Sequence, residues 1–495
     1  MLRIGGNAID AAIATAIALT VVEPTNNGLG SDAFAQVWDG KQLHGLNASG
    51  RAPQAWTRER FAHHDAIPLH GWDSVTVPGA VSGWVALSEK FGALPFAELF
   101  APAIFYARDG FAVSPITAHL WQQADIEYSK QPALYSHWAQ AFAPNGRAPQ
   151  VGETFRCEDM ARSLELIAQS NGEAFYRGEL ADKIAAHSAS CGGAMTREDL
   201  ASHTCDWVEP IAVDYRHQTL HEIPPNGQGL AALIALGILR QFPLHEYSID
   251  GANSLHLQIE AMKLAFADVE NYLGDVRFMQ FEPRDFLTEN YLSQRALLVS
   301  MTEARDPHYG IPPHGGTVYL TAADASGKMV SFIQSNFHGF GSGVVVPQTG
   351  IALQNRGHGF VLREDHANCV AGGKRPRHTI LPAFVTQNGA PLLSFGVMGG
   401  PMQPQGHVQM MTRLFDYGQN PQAACDAPRW RVLRGLEVSL ESGFSDETLN
   451  ELTRRGHQIV ETENWGFGGA QLIMKHGDGY CAASDGRKDG HAAGF

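Results

Sequence analysis

His314-Gly-Gly-Thr317-Val-Tyr-Leu-Thr-Ala-Ala-Asp324 is the stretch on which the reading of this chain turns. Two glycines precede a threonine, and the threonine opens a run rich in β-branched and aromatic residues. Taken alone, Gly-Gly-Thr is a loop entering a strand. If the chain is cut between Gly316 and Thr317, the threonine gains a free α-amine beside its own hydroxyl. An unperturbed α-amine has a pKa of roughly 7.7–8.0, near working pH, so it can act as a base. Nucleophile and general base then share one residue.

Working outward, Thr317 to Ala323 reads as a strand, Asp324-Ala-Ser-Gly327-Lys328 as a turn, and Met329-Val-Ser-Phe-Ile-Gln334 as the return strand. Ser335-Asn-Phe-His-Gly-Phe-Gly-Ser-Gly343 and Thr349-Gly-Ile-Ala-Leu-Gln-Asn355 follow. Upstream lie Gly5-Gly-Asn7-Ala-Ile-Asp10, Val77-Pro-Gly79, Ala107-Arg-Asp-Gly110 and Glu260-Ala-Met-Lys-Leu-Ala-Phe-Ala-Asp268 with Gly274-Asp275. Downstream lie Lys374-Arg-Pro376, Met398-Gly399-Gly400 and Ser484-Asp485 with Gly490. In this order, and over its whole length, the chain resembles the γ-glutamyltranspeptidase family.

That resemblance implies an α+β fold, the four-layer αββα sandwich of N-terminal nucleophile hydrolases. It implies a large piece of residues 1–316 and a small piece of 317–495, co-folded as one interwoven domain and joined as a heterodimer after self-cleavage at Gly316–Thr317. Further dimerisation is left open. Thr317 would attack the Gly316 carbonyl, pass through an ester and, once freed, attack a substrate amide. Gly316 would suit the strained geometry of that step. Ser335 falls where the family has a hydroxyl bonded to the nucleophile. Gly399 and Gly400 match the backbone donors of its oxyanion hole, where one donor is worth about 3–4 kcal/mol. Arg51, in Asn47-Ala-Ser-Gly-Arg51-Ala-Pro53, matches the arginine that clamps the substrate α-carboxylate through a planar fork. Thr379 and His378 fall on two family serines.

Two departures bear on the substrate. The family aspartate that grips the glutamyl ammonium falls on Gly359, and no acid stands between Gln354 and Leu362. The family asparagine that helps hold the glutamyl group falls on Phe337, with Asn336 and His338 as neighbours. Arg356 and His358 could add positive charge, so Asn336, Arg356, His358 and Thr379 join Arg51 as candidate substrate-binding residues. An acyl group with a carboxylate and no amine fits this set, as in oxamate or a glutaryl amide. The alternatives are a conventional γ-glutamyltransferase or glutathione hydrolase, and an unprocessed, non-catalytic relative.

Composition sets the outer limits. The chain has 495 residues, 44% hydrophobic and 18% charged, which is globular. A net charge of −15 without any basic run argues against nucleic acid and anionic membrane. The six cysteines make no Cys-x-x-Cys pair, and there is no His-Glu-x-x-His, so neither metal nor cofactor is expected. Ile9, Ile13 and Ile17 mark a buried helix capped near Asn7, not a signal peptide. Val81–Phe91 and Ser254–Tyr272 are the clearest later helices. Pro224-Pro225 and Pro312-Pro313 mark loops, the second just before the expected cut. Met1-Leu-Arg-Ile-Gly-Gly reads as the end of a helix that starts upstream in the family. The expected location is the cytoplasm, although an upstream export signal would escape this reading.

Overall fold

A computed structural model describes residues 1–307, 316–462 and 464–494. The Pro312-Pro313 loop therefore lies outside the described residues. The chain divides into two compact units, Met1–Val208 with Gly315–His378, and Glu209–His314 with Thr379–Phe495. Each unit takes residues from both sides of the Gly316–Thr317 bond.

The first unit is built on a five-stranded antiparallel sheet. Its order is Asp206–Val208, Leu43–Ala48, Asp32–Trp38, Met329–Phe337 and Gly316–Ala323. The two last strands form the expected hairpin, closed by a turn in which Asp324 N–H donates to Lys328 O at 3.1 Å and Gly327 takes φ +85°. Every residue of Met329–Phe337 is buried, so this strand has no solvent face. Its partner Asp32–Trp38 sets Asp32 opposite Ser335.

The helix Ala8–Val22 packs on the hairpin. Asn7 caps it: its Oδ1 accepts from the N–H groups of Ile9 and Asp10, and Asp10 accepts from Asn7 N–H in return. Ala8 N–H donates to Asp324 Oδ2 at 2.8 Å, tying the helix start to the hairpin turn. Ile9, Ile13 and Ile17 are fully buried, as their spacing predicts, with Ala16 and Thr20 on the same face, but Ala8 and Ala14 on other faces are buried too. Small residues let this helix be covered nearly all round.

The second unit carries a six-stranded antiparallel sheet. Its order is Gly479–Ser484, Gly469–His476, Ala390–Met398, Ala383–Gln387, Gln218–Glu222 and Ile211–Tyr215. The helix Gly229–Leu239 is apolar on every face and all of its residues are buried, which suits a central helix. Beside it run Ala252–Tyr272, close to the expected span, and Met402–Phe415, which starts just beyond Gly399-Gly400. No described helix is long and apolar enough to cross a membrane.

Candidate active site

Thr317 lies at the start of its strand, 2% exposed, beside an irregularity in the ladder. Gly316 pairs with Phe337 and Val318 with Gln334, so Ser335 and Asn336 together stand opposite Thr317. One extra residue in the return strand makes a β-bulge, a device that re-aims side chains. Phe337 completes it at φ +79°, a backbone state unusual for a bulky residue.

The bulge turns the Ser335 hydroxyl onto the expected cleavage bond. Thr317 Oγ donates to Ser335 Oγ at 3.3 Å, and Phe337 N–H donates to the same oxygen at 2.7 Å. Ser335 in turn donates to the Gly316 carbonyl at 2.6 Å. A single hydroxyl thus holds the candidate nucleophile and polarises the carbonyl that it would attack.

Gly316 is not among the residues of positive φ, and a Cβ there would lie 2.3 Å from Asn26 Oδ1. A side chain at 316 would therefore have to displace the Asn26 carboxamide. Asn336 is fully buried, its Oδ1 accepting from Ser31 O–H at 2.9 Å. Its Nδ2 has no acceptor among the described residues.

Arg51 is partly exposed, with Nη2 3.4 Å from Asp206 Oδ2. Arg375 pairs with that same oxygen and also donates to Ser49 O at 2.9 Å. Two guanidinium groups thus converge on one carboxylate beside Arg51. Arg356 is enclosed rather than presented: it is 1% exposed, with its guanidinium carbon 4.8 Å from the Phe337 ring centroid. Burial lowers its pKa to about 9 against the support of Asp32, so it remains charged at neutral pH. His358 is half-buried, and Nδ1 donates to Ile67 O at 2.7 Å, which leaves Nε2 as the distal nitrogen.

At Gly359 a Cβ would lie 2.8 Å from Arg377 O, so backbone fills the place where an acid side chain would begin. His378 is fully buried, edge-on to Phe34, with Nε2 3.2 Å from Asp32 Oδ2. Burial first, then Arg356 and Arg375, hold His378 far below its usual pKa, so the ring is neutral. Asp32 accepts from the N–H groups of Gly50 and Gly79, yet burial pushes it up to about 7. The sequence offered no signal for Asp32, which acquires its setting from residues far along the chain.

In the second unit, Gly399 and Gly400 follow the strand Ala390–Met398 with φ of +128° and +60°, values that favour glycine. Gly399 O accepts from Met402 N–H and Gly400 O from Gln403 N–H, the first turn of the next helix. Neither glycine N–H donates a hydrogen bond to any described residue. Gln228, which sequence reasoning missed, donates through Nε2 both to Gly400 O at 3.0 Å and to Thr379 O at 2.8 Å. One carboxamide therefore fixes two candidate segments at once.

His256, Glu260 and His457 form a buried group of potential metal ligands. Most of their polar atoms are bonded within the protein, although His457 Nδ1 has no hydrogen-bond partner among the described residues. His256 Nε2 donates to Ser300 O, His256 Nδ1 meets His457 Nε2 at 2.8 Å, and Lys263 pairs with Glu260 at 2.5 Å. An ammonium already bound to Glu260 opposes a second cation there.

With this geometry in view, the relationship to known proteins is direct. The model of the gamma-glutamyltranspeptidase family matches residues 1–495. The chain belongs to the gamma-glutamyltranspeptidase family. It is 36% identical to the oxamate amidohydrolase proenzyme of Klebsiella pneumoniae, over 100% of this chain and 95% of that protein. It is also 36% identical to the glutathione hydrolase-like YwrD proenzyme of Bacillus subtilis, over 99% of this chain and 94% of that one. The crystal structure of cephalosporin acylase from Bacillus halodurans superposes with a TM-score of 0.95 at 48% identity, covering 100% of this chain and 92% of that chain. The mixed helix-and-sheet fold is that of the N-terminal nucleophile hydrolases, and the chain is an enzyme of this gamma-glutamyltranspeptidase group.

Proposed function

We propose that this gamma-glutamyltranspeptidase-family enzyme is a self-processing N-terminal threonine amidohydrolase. Its substrate would be a small amide whose acyl part carries a carboxylate and no amine. The observation that carries the reading is the Ser335 hydroxyl, which binds Thr317 Oγ and the Gly316 carbonyl together. In self-cleavage Thr317 Oγ adds to the Gly316 carbonyl carbon and the Gly316–Thr317 C–N bond breaks, giving an ester on Thr317. Water then cleaves the ester, leaving a Gly316 carboxylate and a free Thr317 amine and hydroxyl. The two pieces are residues 1–316 and 317–495.

In turnover the α-amine takes the hydroxyl proton as Thr317 attacks the substrate amide, and returns it to the departing amine. Water resolves the acyl-threonine and releases the acid. As the family resemblance implies, the N–H groups of Gly399 and Gly400 would be the donors for the charge that develops on the attacked carbonyl oxygen. Arg51 binds the acyl carboxylate, with Thr379, Asn336 and His358 as further polar contacts, and buried Arg356 contributes field rather than contact. The filled space at Gly359 supports an acyl group that lacks an ammonium, and oxamate amidohydrolase among the relatives agrees with this. The YwrD relative, named glutathione hydrolase-like, supports γ-glutamyl hydrolysis as the second reading.

Purified protein should run as two bands on a denaturing gel, with the smaller reading Thr-Val-Tyr-Leu on Edman sequencing. Thr317→Ala should stay a single chain. Oxamate and glutaryl amides should be hydrolysed faster than γ-glutamyl-p-nitroanilide. Cleavage of the alanine variant would refute the processing mechanism, and a preference for the γ-glutamyl donor would favour the second reading.

A further inference from the structure

The loop that follows the first helix places one carboxamide against the expected cleavage point. Asn26 is 4% exposed, and its Nδ2 donates to Glu23 Oε1 at 2.7 Å. That bond orients the carboxamide, and its Oδ1 lies 2.3 Å from where a Cβ on Gly316 would be, with Cγ at 3.2 Å. The Asn26 backbone carbonyl also accepts from Asn336 N–H at 3.1 Å, inside the bulge. One residue thus touches both strands of the hairpin at Thr317.

We propose that Asn26 is a positioning residue for the Thr317 N-terminus, seating Gly316 before cleavage and accepting a hydrogen bond from the Thr317 α-amine afterwards. This rests on the reading of Thr317 as an N-terminal nucleophile. The Thr317 nitrogen is two bonds beyond the Gly316 Cα, and Asn26 Oδ1 lies beside the position that a Cβ on that carbon would take. When Gly316 departs, the new amine has hydrogens to donate and Oδ1 is a neighbouring acceptor. A neutral acceptor suits the task. A carboxylate in direct contact would favour the ammonium form and deprive the amine of its basicity. Glu23 has its charge one residue further back, where it orients the carboxamide.

Four variants test this by denaturing gel and by kinetics of the fully matured enzyme. Asn26→Ala should slow self-cleavage roughly tenfold or more and, once matured, lower kcat by a similar factor with KM within about twofold. Asn26→Ser, which keeps a small polar group, should fall between it and the wild type and guards against misfolding of the alanine variant. Gly316→Ala should remain uncleaved, whereas Gly316→Ala with Asn26→Ala should regain cleavage because the added methyl now has room. That rescue reports the contact between Asn26 and residue 316, while the fall in kcat at nearly constant KM is the readout that packing alone would not move. If Asn26→Ala cleaves and turns over like the wild type, or the double variant is as inert as Gly316→Ala, the proposal is overturned while the nucleophile reading stands. Cleavage of Thr317→Ala would overturn both.

Discussion

Ser335 donates its hydroxyl proton to the Gly316 carbonyl across 2.6 Å, and among the described residues no other side chain donates to that oxygen. With its proton directed at the carbonyl, Ser335 would act on the proposed processing step as an electrophilic donor and not as a base. Ser335→Ala should retain Thr317 but lose this polarisation. Self-cleavage should then slow by about 10²-fold, the usual effect of deleting one donor to a developing oxyanion. Ser335→Thr should restore most of the rate. Timed denaturing gels give both values, and an alanine variant that matures at the wild-type rate would remove Ser335 from the step.

The hairpin and its turn were legible because β-branched residues and Gly327 are local signals. The first helix was legible from Asn7 and the isoleucine spacing. The bulge was not, since nothing in Ser335-Asn336-Phe337 announces that two residues will face one across the ladder. The glycine at 316 was visible, but its close approach to Asn26 was not, because Asn26 lies almost three hundred residues earlier. Gln228 escaped for the same reason: a glutamine in a Pro-Pro-Asn-Gly-Gln loop reads as polar surface until its two carbonyl partners are in place. Arg356 illustrates the opposite limit. Its charge was legible, while its enclosure beside Phe337 and Asp32 depends on packing from distant segments.

Asp32 gives a pH dependence of stability whose sign is unusual for a carboxylate. Burial pushes its pKa up to about 7, outweighing Arg356, Arg375 and the N–H groups of Gly50 and Gly79. Neutral His378 faces it and does not titrate in this range. The unfolded chain loses this proton near pH 4 and the folded chain keeps it until about 7. The stabilising contribution is therefore complete below pH ~4, falls as pH rises, and is gone above pH ~7, with a slope of up to about 1.4 kcal/mol per pH unit. Denaturant titrations should show the stability of the wild type minus that of Asp32→Asn falling over this window, because only the wild type titrates there. A wild-type stability that rises relative to the variant with pH would assign Asp32 an ordinary ionised role.

Gln228→Met keeps the length of the side chain and removes both donated hydrogen bonds. Two buried carbonyls, those of Thr379 and Gly400, each lose a partner, so stability should fall by about 1–3 kcal/mol. Gly400 O retains Gln403 N–H, so the turn should loosen rather than unfold. Chemical denaturation measures the loss. An unchanged midpoint would mean that water replaces the carboxamide at no cost.

Chelation provides a separate check on the chemistry. A hydroxyl, an amine and backbone donors suffice for the proposed reaction, and Lys263 already neutralises Glu260 in the His256 and His457 group. Prolonged dialysis against a strong chelator should leave turnover unchanged. Activity lost on chelation and restored by zinc would require a different mechanism.

Arg51 decides the selectivity prediction. Its partner Asp206 is shared with Arg375 and its side chain is partly exposed, so its guanidinium fork is within reach of a substrate carboxylate. At Gly359, the Arg377 backbone leaves no room for an acid that would pair with an ammonium. A γ-glutamyl donor must therefore desolvate its ammonium without a partner there, a loss of roughly 2–5 kcal/mol in comparable buried pairs. Deamino acyl amides avoid that cost and should show the higher kcat/KM. Arg51→Ala should lower their kcat/KM by about 10²-fold or more while leaving self-cleavage at the wild-type rate, because the processing step involves no external carboxylate. Arg51→Lys should recover only part of the loss, since an ammonium cannot reproduce the planar fork. If Arg51→Ala slows self-cleavage as strongly as turnover, Arg51 supports the fold of the site, and the carboxylate must be bound elsewhere.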